Sequence, residues 1–356
     1  MKIENDIHAF NRSKIFEQLD YQPEPAGYHS KIPWVVQQQI AATNGVHYVD
    51  RIGKLYDYPV YELPVNKVSD NKLMLDIGCG WGRWLIGGAN KGYIPVGIDL
   101  RLEFCKTSRT VLSDLNKNGY TVVADLENLP FQDNVFDLVW SFSVIQHTHI
   151  NRLTNCLLHI NRILSESGFT YLEFPNKDGI RNRFGPVKSP AQKTVGDYDS
   201  WVVRYYSIKE YEAIFNKYLS AIAFTNHSFL GIGVLKEDLK YVSLKNKLLC
   251  TASLIGSALT NIIPGMYHFS DSIYIHAEKK SKGIRAENER LQKFRYLHQQ
   301  NPSDNLNIAC LLRCPKTGNQ LVLDESKTKL VNTEAGIYYP VIDGIPLLII
   351  SEAAAI

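Results

Sequence analysis

The strongest constraint on the fold is the pattern of residues 70–175, in which short apolar runs alternate with stretches of helical periodicity. Such alternation is typical of βαβ units, which assemble into a parallel sheet. Apolar positions at helical spacing between Leu153 and Leu164 predict an amphipathic helix. The predicted strands are Leu73–Ile77, Ile94–Ile98, Tyr120–Ala124, Phe136–Phe142 and Phe169–Phe174, with a late strand at Ser272–Ala277.

Length and composition limit the class of protein. A chain of 356 residues is long enough for one large domain and a smaller one. Its 45% hydrophobic and 21% charged residues exclude disordered and collagen-like proteins. The net charge of +3 gives no argument for nucleic-acid binding. Because there is no signal-peptide pattern, no long apolar span and no paired-cysteine framework, we expect a soluble protein of the reducing cytoplasm.

A glycine-rich loop follows the first predicted strand. Glycines recur at every second position from Gly78 to Gly82, directly after Asp76 and before a helix. Glycine permits a sharp turn and a close approach of the backbone to a ligand. Asp99 ends the second predicted strand and Asp125 follows the third. Because the carboxyl ends of parallel strands meet at one edge of the sheet, we expect these residues to share one site, with Asp99 placed to bind ribose hydroxyls.

The stretches LDIGCGWGR, GIDL, VADLENLPFQDNVFDLVWSFSVIQH and GFTYLEF carry a family resemblance. Residues 70–175, and less clearly those up to 280, resemble class I S-adenosylmethionine-dependent methyltransferases. They are similar to the ubiquinone/menaquinone-biosynthesis enzymes and other small-molecule methyltransferases. The resemblance implies an α/β, Rossmann-like, doubly wound and mostly parallel seven-stranded sheet, followed here by a small C-terminal β-rich domain.

The resemblance also implies a set of residues that bind S-adenosylmethionine. The glycines would line the methionine part with Asp76 near its amino group, and Asp99 would hold the ribose hydroxyls. Asp125 and the Leu126 backbone would meet the adenine. The full set comprises Asp76, Gly78, Cys79, Gly80, Gly82, Asp99, Leu100, Asp125, Leu126, Ser141 and Phe142, the last two beside the sulfonium.

Methyl transfer needs a base only where the acceptor loses a proton. His147 and Glu173 are the candidates for a catalytic role, and the alternatives are a capping or packing histidine and a structural glutamate. The Asn/Asp-Pro-Pro-Tyr/Phe motif of many amino-group methyltransferases is replaced by the sequence from Ser141 to Val144. Its absence disfavours adenine, cytosine and glutamine as acceptors. The G-x-G-x-G spacing likewise disfavours a nicotinamide-dependent dehydrogenase, whose loop is G-x-G-x-x-G.

The chain divides into four zones. Residues 1–65 form an N-terminal extension or lid, in which Tyr28, His29 and Trp34 could cover the site. Residues 66–280 form the methyltransferase domain, 281–305 an exposed helical linker, and 306–352 a C-terminal module.

The module, with its segment YPVIDGIP, resembles the small zinc-ribbon-like family that includes the activator subunit of tRNA, rRNA and release-factor methyltransferases. Metal-binding members carry two Cys-x-x-Cys pairs. Here Thr317 replaces the partner of Cys314, and the second pair falls near Asn332 and Ala335, while Cys310 is out of register. We therefore expect no metal, and a module held by a small apolar core and by docking on its neighbour.

Three segments bear on the acceptor and on partners. The basic loop 176–193 and the aromatic run 201–206 could lie over an acceptor or be solvated and packed. The apolar stretch Leu244–Ile263 predicts either an interfacial helix in peripheral contact with a membrane or packing in a core or homodimer. The leading hypothesis is a methyltransferase for a small-molecule acceptor, lipid-linked or sugar-containing. The alternatives are an RNA (tRNA) methyltransferase with a built-in activator-like domain and an inactive cofactor-binding scaffold.

Overall fold

The computed structural model describes residues 23–44, 46–66, 68, 71–148, 150–184, 203–229, 233–260, 262–263, 265–280 and 289–356. Half of the basic loop, residues 185–193, lies outside the described residues, as do His149, Trp201, Val202 and the first part of the linker. Within the described ranges, no helix is long and apolar enough to cross a membrane.

The secondary structure follows the predicted alternation. The strands of the main sheet are β1 Lys72–Ile77, β2 Tyr93–Asp99, β3 Tyr120–Ala124, β4 Phe136–Ser141, β5 Leu164–Pro175, β6 Leu219–Ser228 and β7 Ser272–Lys279. The helices are α1 Trp34–Asn44, α2 Arg83–Lys91, α3 Leu102–Asp114, α4 Ile150–Ile163, α5 Ile180–Phe184, α6 Ile208–Tyr218, α7 Leu244–Thr260 and α8 Glu289–Gln300. The short C-terminal strands are β8 Val322–Leu323, β9 Lys329–Asn332, β10 Ile337–Ile342, β11 Ile345–Leu348 and β12 Ala354–Ala355.

The seven main strands lie in the order β3-β2-β1-β4-β5-β7-β6. All run parallel except β7, which is antiparallel to both β5 and β6. Strands β1, β3 and β4 are almost wholly buried, which is why they appear in the sequence as nearly continuous apolar runs. The predicted α/β, Rossmann-like fold with a mostly parallel sheet is confirmed.

The sheet does not end at seven strands, because the C-terminal module extends it. Strand β11 pairs in parallel with β3, in the register Leu347↔Val123 and Leu348↔Ala124, and β10, β9 and β8 continue the sheet outward. The edge of β3 is therefore covered by a strand from more than 200 residues downstream. Covering a buried edge satisfies backbone groups that would otherwise be unpaired.

Side chains fasten the module to the edge of the main sheet. The buried Asn305 amide accepts from the backbone N–H of Thr121 (2.8 Å) and donates to the carbonyls of Thr121 and Gly344 (2.9 Å each). In α8, Phe294 is fully buried and its ring lies 5.1 Å from that of Tyr120. The predicted linker helix is therefore only partly exposed, because Leu291 and Phe294 are buried and Phe294 packs against β3.

The positions that correspond to zinc ligands hold hydrogen bonds. The Asn332 amide donates to the hydroxyl of Thr317 at 2.9 Å, and its oxygen accepts from the Ala335 N–H. The Cys314 thiol is buried, with its Sγ 3.5 Å from the Tyr339 hydroxyl. No group of metal-binding side chains occurs in the part of the chain that the structure describes. A direct hydrogen bond thus joins the loops that contain Thr317 and Asn332.

Candidate functional site

The glycine loop joins β1 to α2 with a left-handed backbone. Gly78, Gly80 and Gly82 have φ values of +78°, +51° and +95°, a region that glycine adopts without strain. The N–H groups of Gly78 and Cys79 donate to the Ile98 carbonyl at 2.8 and 2.9 Å, which ties the loop to the end of β2. A Cβ on Gly80 would meet nothing closer than 4.0 Å, whereas one on Gly78 would overlap Val144. The loop therefore leaves open space above Gly80.

Asp76 is buried just before this loop without a partner. Its side chain is 1% exposed, and neither carboxylate oxygen has a hydrogen-bond partner among the described residues. Burial raises the pKa of Asp76 well above its ordinary value, the charge of Asp99 raises it further, and Arg83 opposes the rise. A buried carboxylate without donors is costly unless a cation or donor joins it. This position is therefore suited to a positively charged ligand group.

Arg83, the residue directly after the loop, was not assigned from the sequence. Its side chain is 7% exposed, and it forms no hydrogen bond or ion pair with any residue that the structure describes. Instead the guanidinium lies over three rings, 4.0 Å from that of Tyr61 and 4.8 Å from those of Trp84 and Phe142. Cation–π contacts stabilise the charge and leave the N–H donors available for an anion.

The acids at the ends of β2 and β3 are held differently. Asp99 accepts from the N–H groups of Gly80 and Arg101, both at 3.1 Å, and burial raises its pKa to about 6. Asp125 accepts from the Glu127 N–H at 3.0 Å and so caps the short 3-10 helix 126–128. One oxygen of Asp125 therefore has a local capping role. That Asp125 and the backbone of Leu126 bind the adenine stays a prediction.

Four predicted cofactor residues remain. The side chains of Cys79 and Ser141 contact other parts of the fold, whereas Leu100 and Phe142 lie directly after strands. The Cys79 side chain is buried against Gly97, where a Cβ would lie 2.8 Å from its sulfur, so only its backbone can face a ligand. The Ser141 hydroxyl donates to the Ile77 carbonyl at 3.1 Å and joins β4 to β1. Phe142 and Leu100 lie at the strand ends, and Leu100 is 54% exposed.

Glu173 and His147 lie beside the end of β4. The buried Glu173 carboxylate accepts from both the N–H and the hydroxyl of Ser143 at 3.0 Å, which stabilises the positive φ of Ser143. His147 is half-buried in the 3-10 helix Ile145–His147, and its carbonyl accepts from Arg204. Part of the predicted aromatic run thus packs beside His147. The contacts of Glu173 are those of a positioning residue, and a catalytic role for either side chain stays a prediction.

An aromatic wall extends from α2 to β7. The ring of Phe142 lies 5.2 Å from Trp84 and 4.9 Å from His227, and His227 lies 5.0 Å from Tyr274. Burial and the nearby charge of Arg83 lower the pKa of His227 to about 3, so its imidazole is neutral. These residues come from segments far apart in the sequence. Only the folded sheet brings them together, and no local motif marks them.

The N-terminal extension closes the other side of the site. The indole N–H of Trp81, in the glycine loop, donates to the Asn44 amide at 3.1 Å. Tyr48 and Tyr61 both donate to the buried carboxylate of Asp238. In α1, Gln39 is 6% exposed with neither amide atom partnered among the described residues. It lies one turn before Thr43, the residue nearest to the space above Gly80.

Of the lid candidates named from the sequence, Tyr28 and Trp34 contact each other, and His29 is exposed. The rings of Tyr28 and Trp34 are 5.2 Å apart, and the Tyr28 hydroxyl donates to the Ile32 carbonyl. The extension reaches the glycine loop through Thr43 and Asn44 instead. That the extension covers the site stays a prediction, and α1 is the part of it that contacts the glycine loop.

Comparisons with known proteins agree with this fold. Residues 75–172 match the family model described as a methyltransferase domain. An uncharacterized protein of Methanocaldococcus jannaschii is 27% identical over 236 residues, which cover 59% of this chain and 87% of that protein. A UPF0434 protein of Pseudomonas aeruginosa is 48% identical over 46 residues, 13% of this chain and 75% of its own length. The sphingolipid C9-methyltransferase of Candida albicans is 26% identical over 144 residues, 35% of this chain and 28% of that enzyme.

The match covers β1 through most of β5, and it includes the glycine loop and both strand-end acids at 99 and 125. Together with the sheet order, it indicates a methyltransferase-like domain that includes residues 75–172.

Proposed function

We propose that this chain transfers a methyl group from S-adenosylmethionine to a small-molecule acceptor with apolar or aromatic surface, such as a lipid-linked one. The observation that carries the cofactor assignment is the pair of unpartnered charges at the glycine loop. Among the residues that the structure describes, Asp76 has a buried carboxylate without a donor, and Arg83 has a buried guanidinium without an acceptor. The two side chains lie close enough for the positive charge of Arg83 to oppose the increase in the pKa of Asp76.

Two opposite charges that influence each other but make no hydrogen bond to each other fit a zwitterion. The methionine part of the cofactor carries an α-ammonium and an α-carboxylate. Asp76 would accept from the ammonium, and the Arg83 fork would donate to the carboxylate, which are charge-assisted pairings. Asp99 would accept from the ribose hydroxyls while the N–H groups of Gly80 and Arg101 hold it in place.

When bound, S-adenosylmethionine supplies a methyl group on a sulfonium that an acceptor displaces in line. The work of the protein is then to orient the two reactants and to exclude water. The rings of Trp84, Phe142 and Tyr274 would form the acceptor wall, and the N-terminal helix α1 would close the site above the glycine loop. Glu173 would hold the turn at Ser143 and thereby position Phe142.

An aromatic wall favours an acceptor with apolar surface over a strongly hydrated one. The relative named as a sphingolipid methyltransferase supports a lipid-linked acceptor. We also propose that residues 306–352 act as a built-in partner of the methyltransferase domain, because β11 covers the edge of β3.

The acceptor class can be tested by transfer of label from methyl-tritiated S-adenosylmethionine into cell extract, which is then separated into organic-soluble, small polar, RNA and protein fractions. We expect label in the organic-soluble or small polar fraction, and none with the Asp99→Ala protein. Label in RNA would overturn the acceptor class in favour of an RNA methyltransferase. Cofactor binding without transfer into any fraction would favour an inactive scaffold.

A further inference from the structure

Helix α7 exposes its large apolar side chains. Leu244 is 85% exposed, Leu248 81%, Ile255 57% and Leu259 41%, and Ile262 just beyond the helix is 75% exposed. At about 100° per residue, the four helical positions fall within an arc of about 60°. They form one continuous apolar stripe along the helix, which we call the α7 stripe (Leu244, Leu248, Ile255, Leu259).

The opposite face of α7 is buried and carries small residues. Ser253 is 2% exposed and donates to the Phe229 carbonyl at 2.7 Å, and Ser257 donates to the His227 carbonyl at 3.5 Å. Gly256 lies against the Phe229 ring, where a Cβ would be 3.4 Å away. A helix on the surface of a water-soluble protein normally buries its large apolar residues. The arrangement in α7 is the reverse, which indicates that the stripe has a partner.

The positive charges around the α7 stripe favour an anionic partner. Residues 239–270 include no Asp or Glu, but they include Lys240, Lys245 and Lys247. Lys240 and Lys247 are exposed. In a symmetric dimer through this face, the lysines of the two copies would approach each other, and like charges repel. An apolar stripe flanked by lysines instead fits the headgroup boundary of a bilayer.

We propose that α7 docks this protein on the surface of a membrane that contains anionic lipids. The α7 stripe would enter the boundary between headgroups and acyl chains, and Lys240 and Lys247 would face lipid phosphates. Through Ser257 the helix is hydrogen-bonded to His227, whose ring contacts Phe142 at 4.9 Å. The docked face is therefore adjacent to the aromatic wall, and a lipid-linked acceptor would enter there. This last point rests on the proposed function, whereas the docking itself does not.

Vesicle flotation of the full chain tests the docking. We expect the protein to float with vesicles of phosphatidylcholine and phosphatidylglycerol and to bind pure phosphatidylcholine vesicles at least about tenfold more weakly, since each lysine contributes about 1 kcal/mol near an anionic surface. The double variant Leu248→Ser/Ile255→Ser should lose flotation. The matched control is Val322→Ser, which removes a side chain that is 52% exposed in β8, at the other end of the sheet; it should float like the unmodified protein.

A second pair of variants tests the charge. Lys240→Glu/Lys247→Glu should reduce flotation with anionic vesicles, whereas Lys327→Glu, in the C-terminal module, should not. Unfolding temperature and S-adenosylmethionine binding check that each variant is folded. Absence of flotation by the unmodified protein would overturn the docking. So would a dimer in light scattering that the double serine variant converts to a monomer, because the stripe would then be an interface between copies.

Discussion

The guanidinium of Arg83 lies 4.0 Å from the centre of the Tyr61 ring, and it forms no ion pair with a described residue. Tyr61 is in turn fixed by its hydrogen bond to the buried Asp238. Contacts with rings hold the guanidinium in place but leave its N–H donors without acceptors. A buried cation held in this way is ready for an anion, and Asp76 nearby offers the complementary negative charge.

The first prediction concerns Asp76→Asn, which keeps the size of the side chain but removes its charge. Affinity for S-adenosylmethionine should fall at least about tenfold, because a charge-assisted hydrogen bond contributes about 1.5–3 kcal/mol. The free protein should become more stable, because an unpartnered buried carboxylate is lost. Isothermal titration calorimetry and urea unfolding measure the two effects. Weaker binding accompanied by lower stability would instead indicate structural damage.

The second prediction is a pH dependence that originates at Asp99. Its pKa in the free protein is about 6, and ribose hydroxyls donate best to the carboxylate form. S-adenosylmethionine affinity should therefore rise as the pH increases through 6. Because this pKa is higher than the ordinary value of 3.8, the contribution of Asp99 to the free energy of unfolding should decrease as the pH rises from about 4 to about 6 and change little above that. The Asp99→Asn protein should bind more weakly and lack the change around pH 6; an unaltered pH profile in that variant would contradict the assignment.

The third prediction concerns the attachment of the C-terminal module. Asn305→Ala removes three hydrogen bonds and leaves the buried Thr121 N–H and carbonyl without that partner. The free energy of unfolding should fall by about 2–4 kcal/mol. The matched control Gln300→Ala changes an exposed side chain on α8 and should stay within about 0.5 kcal/mol. Equal stability of the two variants would mean that the module does not support the domain.

The fourth prediction concerns metal. The loops of the C-terminal module are joined by the hydrogen bond from Asn332 to Thr317 at 2.9 Å. Incubation with a chelator should therefore leave the unfolding temperature unchanged, whereas Asn332→Ala should lower it by about 1–2 °C, in keeping with a loss of about 1 kcal/mol. A chelator effect as large as that of the variant would show that a metal, rather than this hydrogen bond, holds the loops.

The sequence predicts the glycine loop and the convergence of Asp76 and Asp99 because each lies at the end of a strongly apolar strand. It does not predict the pairing of β11 with β3, because no local hydrophobic pattern in the sequence shows which distant strand β11 pairs with. Arg83 is part of the motif LDIGCGWGR, but its proposed role in binding the cofactor carboxylate depends on contacts with Tyr61 and Phe142. These two residues come from other segments of the chain. Likewise, the apolar stretch at α7 is visible in the sequence, but its exposure is a property of the packed helix.

The most direct test of the account compares the binding of S-adenosylmethionine with that of its decarboxylated analogue, which keeps the sulfonium, the ribose and the adenine. Calorimetry on the unmodified protein should show at least about tenfold tighter binding of S-adenosylmethionine, because only this ligand offers a carboxylate to Arg83. In Arg83→Met the two ligands should bind alike. Failure of the unmodified protein to bind S-adenosylmethionine would contradict the proposed function, whereas an undiminished preference in Arg83→Met would contradict the role of Arg83 alone.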